Sequence, residues 1–152
     1  MRITDAQLKQ IYTHAAETYP HECFGFLVGI SDQGGAVHRV ARGTNLHTDR
    51  TDRFEMDPEE FVQVEKQADD DGLSIIGFYH SHPDWPAIPS QTDMTWAWEG
   101  SYYLIVSVHE GHPLHTGVWS LAKGGPKRFA QEPLEILDAA GDQAGFRQAS
   151  EV

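Results

Sequence analysis

An apolar, partly β-branched run from Leu73 to Tyr79 follows a helical pattern after one glycine, Gly72, and ends in His80-Ser81-His82-Pro83. It constrains the fold more than any other feature, because such a run reads as a central strand covered on both faces. Side chains alternate along a strand, so His80 and His82 point the same way and two imidazoles converge at the strand's C-terminal mouth without any loop folding. A central strand needs neighbours. Phe24 to Ile30 is a short apolar run ending near Gly34-Gly35, and Ala36 to Ala41 alternates after it, so this pair reads as a hairpin. Tyr102 to Val108, Leu114 to Leu121 and Lys127 to Ala130 read as three further strands separated by glycine-bearing turns.

Helices are marked by their caps. Thr4 followed by Gln7 is a capping box, and Leu8, Ile11, Tyr12, Ala15 and Tyr19 recur at helical spacing until Pro20. Asp57-Pro58-Glu59-Glu60 supplies an N-cap, a proline in the first turn and acids near the helix N-terminus, followed by Phe61, Val64 and Ala68 and closed by Gly72. Pro83, Pro86 and Pro89 keep the chain extended or turned until Ser90 opens a short helix through Trp98. The expected order is α, β, β, α, β, α, β, β, β, an α/β fold with a mixed sheet packed with helices. The 152 residues fit one domain, placed at 1–130. From Gln131 the pattern decays, and 131–152 is expected to be a polar, partly disordered tail.

With 39% hydrophobic residues and no uninterrupted apolar stretch of membrane-spanning length, the chain reads as soluble, and no membrane is expected as a partner. Its N-terminus lacks a signal-peptide pattern, which makes the cytoplasm the expected compartment. A net charge of −12 argues against nucleic acid, since phosphate binding needs clustered Lys and Arg. Ten of the 23 acidic residues fall between Asp49 and Asp71 against three basic ones. That stretch reads first as a solvated helix face, with docking of a basic partner or adaptation to salt as alternatives. Cys23 is the only cysteine, which excludes an intrachain disulfide and any metal site with two thiolates. Any metal must sit on His, Asp or Glu.

Asp93 follows His82 by eleven positions, and the proline-rich stretch between them can turn the next helix toward the strand mouth. Two nitrogens and one oxygen suit a tetrahedral Zn²⁺ with a fourth position left for water. Each piece has a plainer reading: Ser90-Gln91-Thr92-Asp93 is an acceptable capping box by itself, and His-x-His arises by chance in a chain with nine histidines. The combination carries the weight, since it puts four candidate groups around one point.

These residues resemble the signature of the JAMM (MPN-plus) metalloprotease family: an upstream Glu, then His-Ser-His-Pro, with seven residues between His82 and Ser90 and two between Ser90 and Asp93. The segment from Tyr19 to Gly29, containing Glu22, looks like the family's segment around its catalytic Glu. Asn45 and Arg53-Phe54-Glu55-Met56-Asp57-Pro58 resemble its following region, so the likeness covers roughly residues 3 to 130. His21 and Phe24 stand where other residues are common in the family.

The resemblance implies the MPN architecture, similar to the layered cytidine-deaminase topology, with one zinc held by His80, His82 and Asp93. It implies Glu22 as the base that takes a proton from the attacking water and Ser90 as a donor to the oxyanion. It further implies a compact prokaryotic-type peptidase or isopeptidase acting at the C-terminal tail of a ubiquitin-like or sulfur-carrier protein, a tail that a strand edge near the site could hold by β-augmentation. The alternative is an MPN scaffold that retains a metal site without catalysis. His80-x-His82-x-Asp84 also resembles the start of a metallo-β-lactamase motif, but Trp85 stands where that motif needs His. A zinc deaminase would need paired cysteines.

Cys23 beside Glu22 invites a nucleophile reading, against which burial is the expectation. His109, His112 and His115 are expected at the surface around a turn. Trp85, Trp96, Trp98 and Trp119 are expected mainly in the core, with Trp85 near enough to line the cleft.

Overall fold

A computed structural model describes residues 1–47 and 55–138 of the chain. Arg53 and Phe54 of the family-like segment, and the tail from 139 to 152, lie outside the described residues. The elements are β1 (Arg2–Thr4), α1 (Asp5–Thr18), β2 (Phe24–Ile30), a 3-10 turn (Asp32–Gly34), β3 (Ala36–Gly43), α2 (Pro58–Asp70), β4 (Ser74–Pro83), α3 (Gln91–Trp96), β5 (Tyr102–His109), β6 (His112–Leu121), β7 (Phe129–Glu132) and β8 (Glu135–Leu137). The strands form one mixed sheet in the order β7-β6-β5-β4-β2-β3-β1-β8. β4 is central, parallel to β5 and antiparallel to β2.

The expected helix starts are present. The Thr4 hydroxyl accepts from the Gln7 N–H at 3.1 Å while the Gln7 side chain accepts from the Thr4 N–H at 3.0 Å. Asp57 caps α2 through the Glu59 N–H at 2.9 Å. Alternation along the strands sends neighbouring residues into two cores on opposite faces of the sheet. Leu27, Leu104 and Val106 pack with Leu8, Ile11 and Ala15 of α1. Phe26, Phe78 and Tyr103 pack with Val64 and Ala68 of α2. Each fully buried side chain of this size contributes roughly 1.5–3 kcal/mol by leaving water.

Three boundaries differ from the sequence expectation. β4 continues through Pro83, so His80 and His82 lie on the strand itself, paired in register with Ile105 and Ser107 of β5. β6 starts at His112 because Glu110 and Gly111, both at positive φ, make a two-residue hairpin turn. The third correction concerns the polar tail: its first residues belong to the sheet. β7 reaches Glu132, Leu134 is buried, and β8 pairs in parallel with β1 through Arg2↔Glu135. Strands of three residues are too short for periodicity to register.

The exposed acids Glu59, Glu65, Asp69 and Asp70 line the outer face of α2, as a solvated helix requires. No helix among the described residues is long and apolar enough to cross a membrane.

Candidate metal centre

β2 and β4 lie side by side, and their junction builds the site. The Cys23 N–H donates to the Ser81 hydroxyl at 2.8 Å, and the Ser81 N–H donates to the Cys23 carbonyl at 3.2 Å. The Asn45 side-chain amide donates to the Glu22 carbonyl at 3.0 Å. These contacts fix the backbone of Glu22, whose carboxylate Oε1 lies 4.0 Å from Nε2 of His82 in a buried position. Glu22, His80 and His82 form a group able to hold a metal ion.

The other wall comes from the loop between β4 and α3. It is tied down by the Asp84 N–H to the Val108 carbonyl at 2.7 Å, the Ser107 hydroxyl to the Trp85 carbonyl at 2.5 Å and the Trp119 indole N–H to the Ala87 carbonyl at 3.1 Å. Gly117 permits this approach, since a Cβ there would sit 2.6 Å from the Ala87 oxygen. The loop delivers Ser90 as the N-cap of α3, with the Asp93 N–H donating to its hydroxyl at 3.0 Å and its own N–H donating to Asp93 Oδ2 at 2.8 Å. The capping box therefore sets the Asp93 rotamer. The same carboxylate meets both imidazoles, with Oδ1 3.1 Å from Nε2 of His80 and Oδ2 3.1 Å from Nε2 of His82.

His82 Nδ1 lies 2.7 Å from the Pro86 carbonyl. A carbonyl only accepts, so Nδ1 carries the proton and the Nε2 lone pair faces the cluster. That lone pair points toward Asp93, with Glu22 beyond and His80 Nε2 at 3.2 Å. Acceptors facing acceptors at these distances need positive charge between them, and a cation among them satisfies all at once. A tetrahedral ion with bonds of about 2.0–2.1 Å separates its ligands by roughly 3.3 Å, close to the spacing among the two Nε2 atoms and the Asp93 oxygens. The donor set thus fits a borderline-soft divalent metal.

A cleft of about 500 Å³ adjoins this cluster, lined by His80 and Asp93 together with Phe24, Phe78, Trp96 and Trp98. Here the expectation of core tryptophans is corrected: Trp85, Trp96 and Trp98 are 58%, 72% and 44% exposed, and only Trp119 is half-buried. Trp85 stands edge-on to His82 with ring centroids 6.0 Å apart but is not among the cleft's lining residues. Sequence reading missed the cleft because six-residue α3 offers too little periodicity to show which face is wet. Cys23 is buried as expected, and burial pushes its thiol up to about 12, which disqualifies it as a nucleophile. His109, His112 and His115 are exposed on the β5–β6 hairpin. Among the described residues no strand edge is free beside His80: β4 has β2 on one side and β5 on the other, and the sheet edges are β7 and β8.

The chain is 38% identical over 106 residues to a desampylase of Haloferax volcanii, covering 68% of this chain and 74% of that protein. It is 31% identical over 99 residues to a probable TtuB-protein conjugate cleaving protease of Thermus thermophilus, covering 64% of each. The solution structure of a Desulfitobacterium hafniense protein superposes with a TM-score of 0.77 at 29% identity, covering 90% of this chain and 92% of that one. The family model for prokaryotic homologs of the JAB domain matches residues 4–121, a span that holds both histidines, Glu22, Ser90 and Asp93, and the chain belongs to that family.

Proposed function

We propose that the chain is a zinc-dependent peptidase that hydrolyses a peptide or isopeptide bond at the C-terminal tail of a ubiquitin-like or sulfur-carrier protein. The observation that carries this reading is the convergence of two imidazole Nε2 atoms and one carboxylate within 3.1–3.2 Å, with a second, buried carboxylate held just outside. His80, His82 and Asp93 are the ligands in this reading. Bound there, Zn²⁺ supplies Lewis acidity that lowers the pKa of water from about 15.7 toward roughly 7.

Glu22 stands too far from His82 for a hydrogen bond yet inside the cluster, where its carboxylate accepts a proton from the attacking water and returns it to the departing amine. Ser90 serves twice without conflict. A hydroxyl has one donor and two acceptor sites, and capping α3 uses an acceptor, so its O–H remains available to the charge that develops on the carbonyl oxygen. The Pro86 carbonyl holds His82 in the required tautomer. The carrier-tail substrate class draws on the conjugate-cleaving relative and on the motif's resemblance.

Elemental mass spectrometry of the purified protein beside Asp93→Ala tests the metal, and cleavage of a ubiquitin-like fusion beside Glu22→Gln tests the base. About one zinc per chain is expected, lost in Asp93→Ala, with Glu22→Gln keeping zinc but losing hydrolysis. Failure to take up zinc on reconstitution would sink the mechanism, and zinc without cleavage of any carrier tail would favour a binding module.

A further inference from the structure

His80 and Asp93 line the aromatic cleft, whereas Glu22 and His82 do not. Its walls are built rigidly and left wet. Trp98 stands edge-on to Phe61 and Phe78 with ring centroids 5.2 and 5.3 Å apart, and its backbone N–H donates to the Tyr103 hydroxyl at 2.6 Å. Trp98 is nonetheless 44% exposed, and Trp96 is 72% exposed. Large apolar side chains gathered in an open groove mark a binding surface rather than a solvated one. Away from the metal cluster, the acidic and basic side chains lining the cleft among the described residues are His47 and Glu55, already paired with each other at 2.9 Å. Nothing in the wall asks for a charged occupant.

We propose that this cleft is a specificity pocket for a bulky apolar side chain, aromatic or branched aliphatic, on the acyl side of the scissile bond. The inference rests on the peptidase reading above. The side follows from Glu22. A group that returns a proton to the departing amine must have that amine within hydrogen-bond reach, so the amine lies toward Glu22 and His82. The acyl segment then runs the other way, across His80 and Asp93 and onto the aromatic walls. In the reading above that segment is the carrier tail. A volume of 500 Å³ falls within the usual range of ligand pockets, about 300–1,000 Å³, and accommodates one large side chain with the backbone that carries it.

The test is a series of peptide amides that release a fluorescent amine, with Ala or Phe placed at each of the last four acyl positions in turn. A parallel series makes the same exchange on the leaving side. For the zinc-loaded protein, Phe over Ala at one acyl position is expected to raise kcat/KM about tenfold or more. That ratio is expected to fall toward unity in Trp96→Ala and in Trp98→Ala. Trp96 is the safer substitution, being mostly in water, and its melting temperature and zinc content report that the variant is folded. A ratio near unity at every acyl position overturns the pocket, as does a ratio that survives both variants or a preference confined to the leaving side. Equal hydrolysis of every peptide leaves the peptidase reading standing. No hydrolysis of any peptide or ubiquitin-like fusion overturns that reading and the pocket with it.

Discussion

Ser81 lies between the two histidines, and replacing it with alanine separates what that position does for the fold from what it does for the site. Its hydroxyl accepts the Cys23 N–H at 2.8 Å, and neither residue is open to water, with exposures of 0% and 1%. Ser81→Ala therefore orphans a buried donor that no solvent can reach. The loss of a hydrogen bond that leaves its partner unsatisfied costs about 1–3 kcal/mol. For a domain of this size each kcal/mol lowers the melting temperature by roughly 2–4 °C, so Ser81→Ala should melt about 4–8 °C lower at the middle of that range. Urea denaturation at neutral pH reads the same quantity as a free energy. The functional consequence follows from adjacency: Cys23 is bonded to Glu22, and a shift of the β2 start moves the carboxylate relative to His82. Small misplacements of a reacting group cost up to about a hundredfold, so kcat should fall tenfold or more with KM little changed and zinc retained. Unchanged stability within about 0.5 kcal/mol would refute the orphaned-donor argument. Reduced stability with full kcat would refute the link to Glu22.

Gly25 faces the ring of Tyr79, which is fully buried, and a Cβ at that position would overlap ring atoms that have nowhere to go. Gly25→Ala should destabilise by about 3 kcal/mol or more, seen as a melting temperature lowered by roughly 6–12 °C, and an unshifted transition would contradict the packing. His14 is buried against the Tyr79 hydroxyl at 2.7 Å, and burial, reinforced by Arg42, lowers its pKa to about 4. Because the folded value lies below the unfolded one of about 6.5, the unfolded state takes up the proton first, and stability falls as pH drops from about 6.5 toward 4. The loss is about 3 kcal/mol at most, and His14→Gln should flatten the difference in unfolding free energy between pH 7 and pH 4.5. An identical slope in the variant would remove His14 from the acid response.

Much of the site was legible because its pieces are local. The two-residue period of a strand puts His80 and His82 on one face whatever surrounds them, and a capping box needs only Ser90 and Asp93 in the first turn of a helix. The same holds for Thr4 with Gln7 and for Asp57 before Pro58, whose caps stand where the sequence placed them. Spacing also carried the family, since a motif of fixed separations is a property of the chain.

What the chain alone could not show depends on residues far apart in sequence. The pairing of β1 with β8 joins residues more than 130 positions apart through strands of three residues, too short for any pattern to announce. Glu22 and His82 come within 4.0 Å only because β2 lies antiparallel beside β4, a neighbourhood decided by which hydrophobic faces the whole sheet buries. The tryptophans make the same point in the other direction. Their composition suggests core, yet the placement of six-residue α3 against the sheet leaves Trp96 and Trp98 in a wet cleft. Local spacing determined the shared face of His80 and His82 and the caps by itself, because those geometries close within a turn or a pleat. The position of Glu22 beside His82 and the shape of the cleft were decided by long-range packing, which no window along the sequence contains.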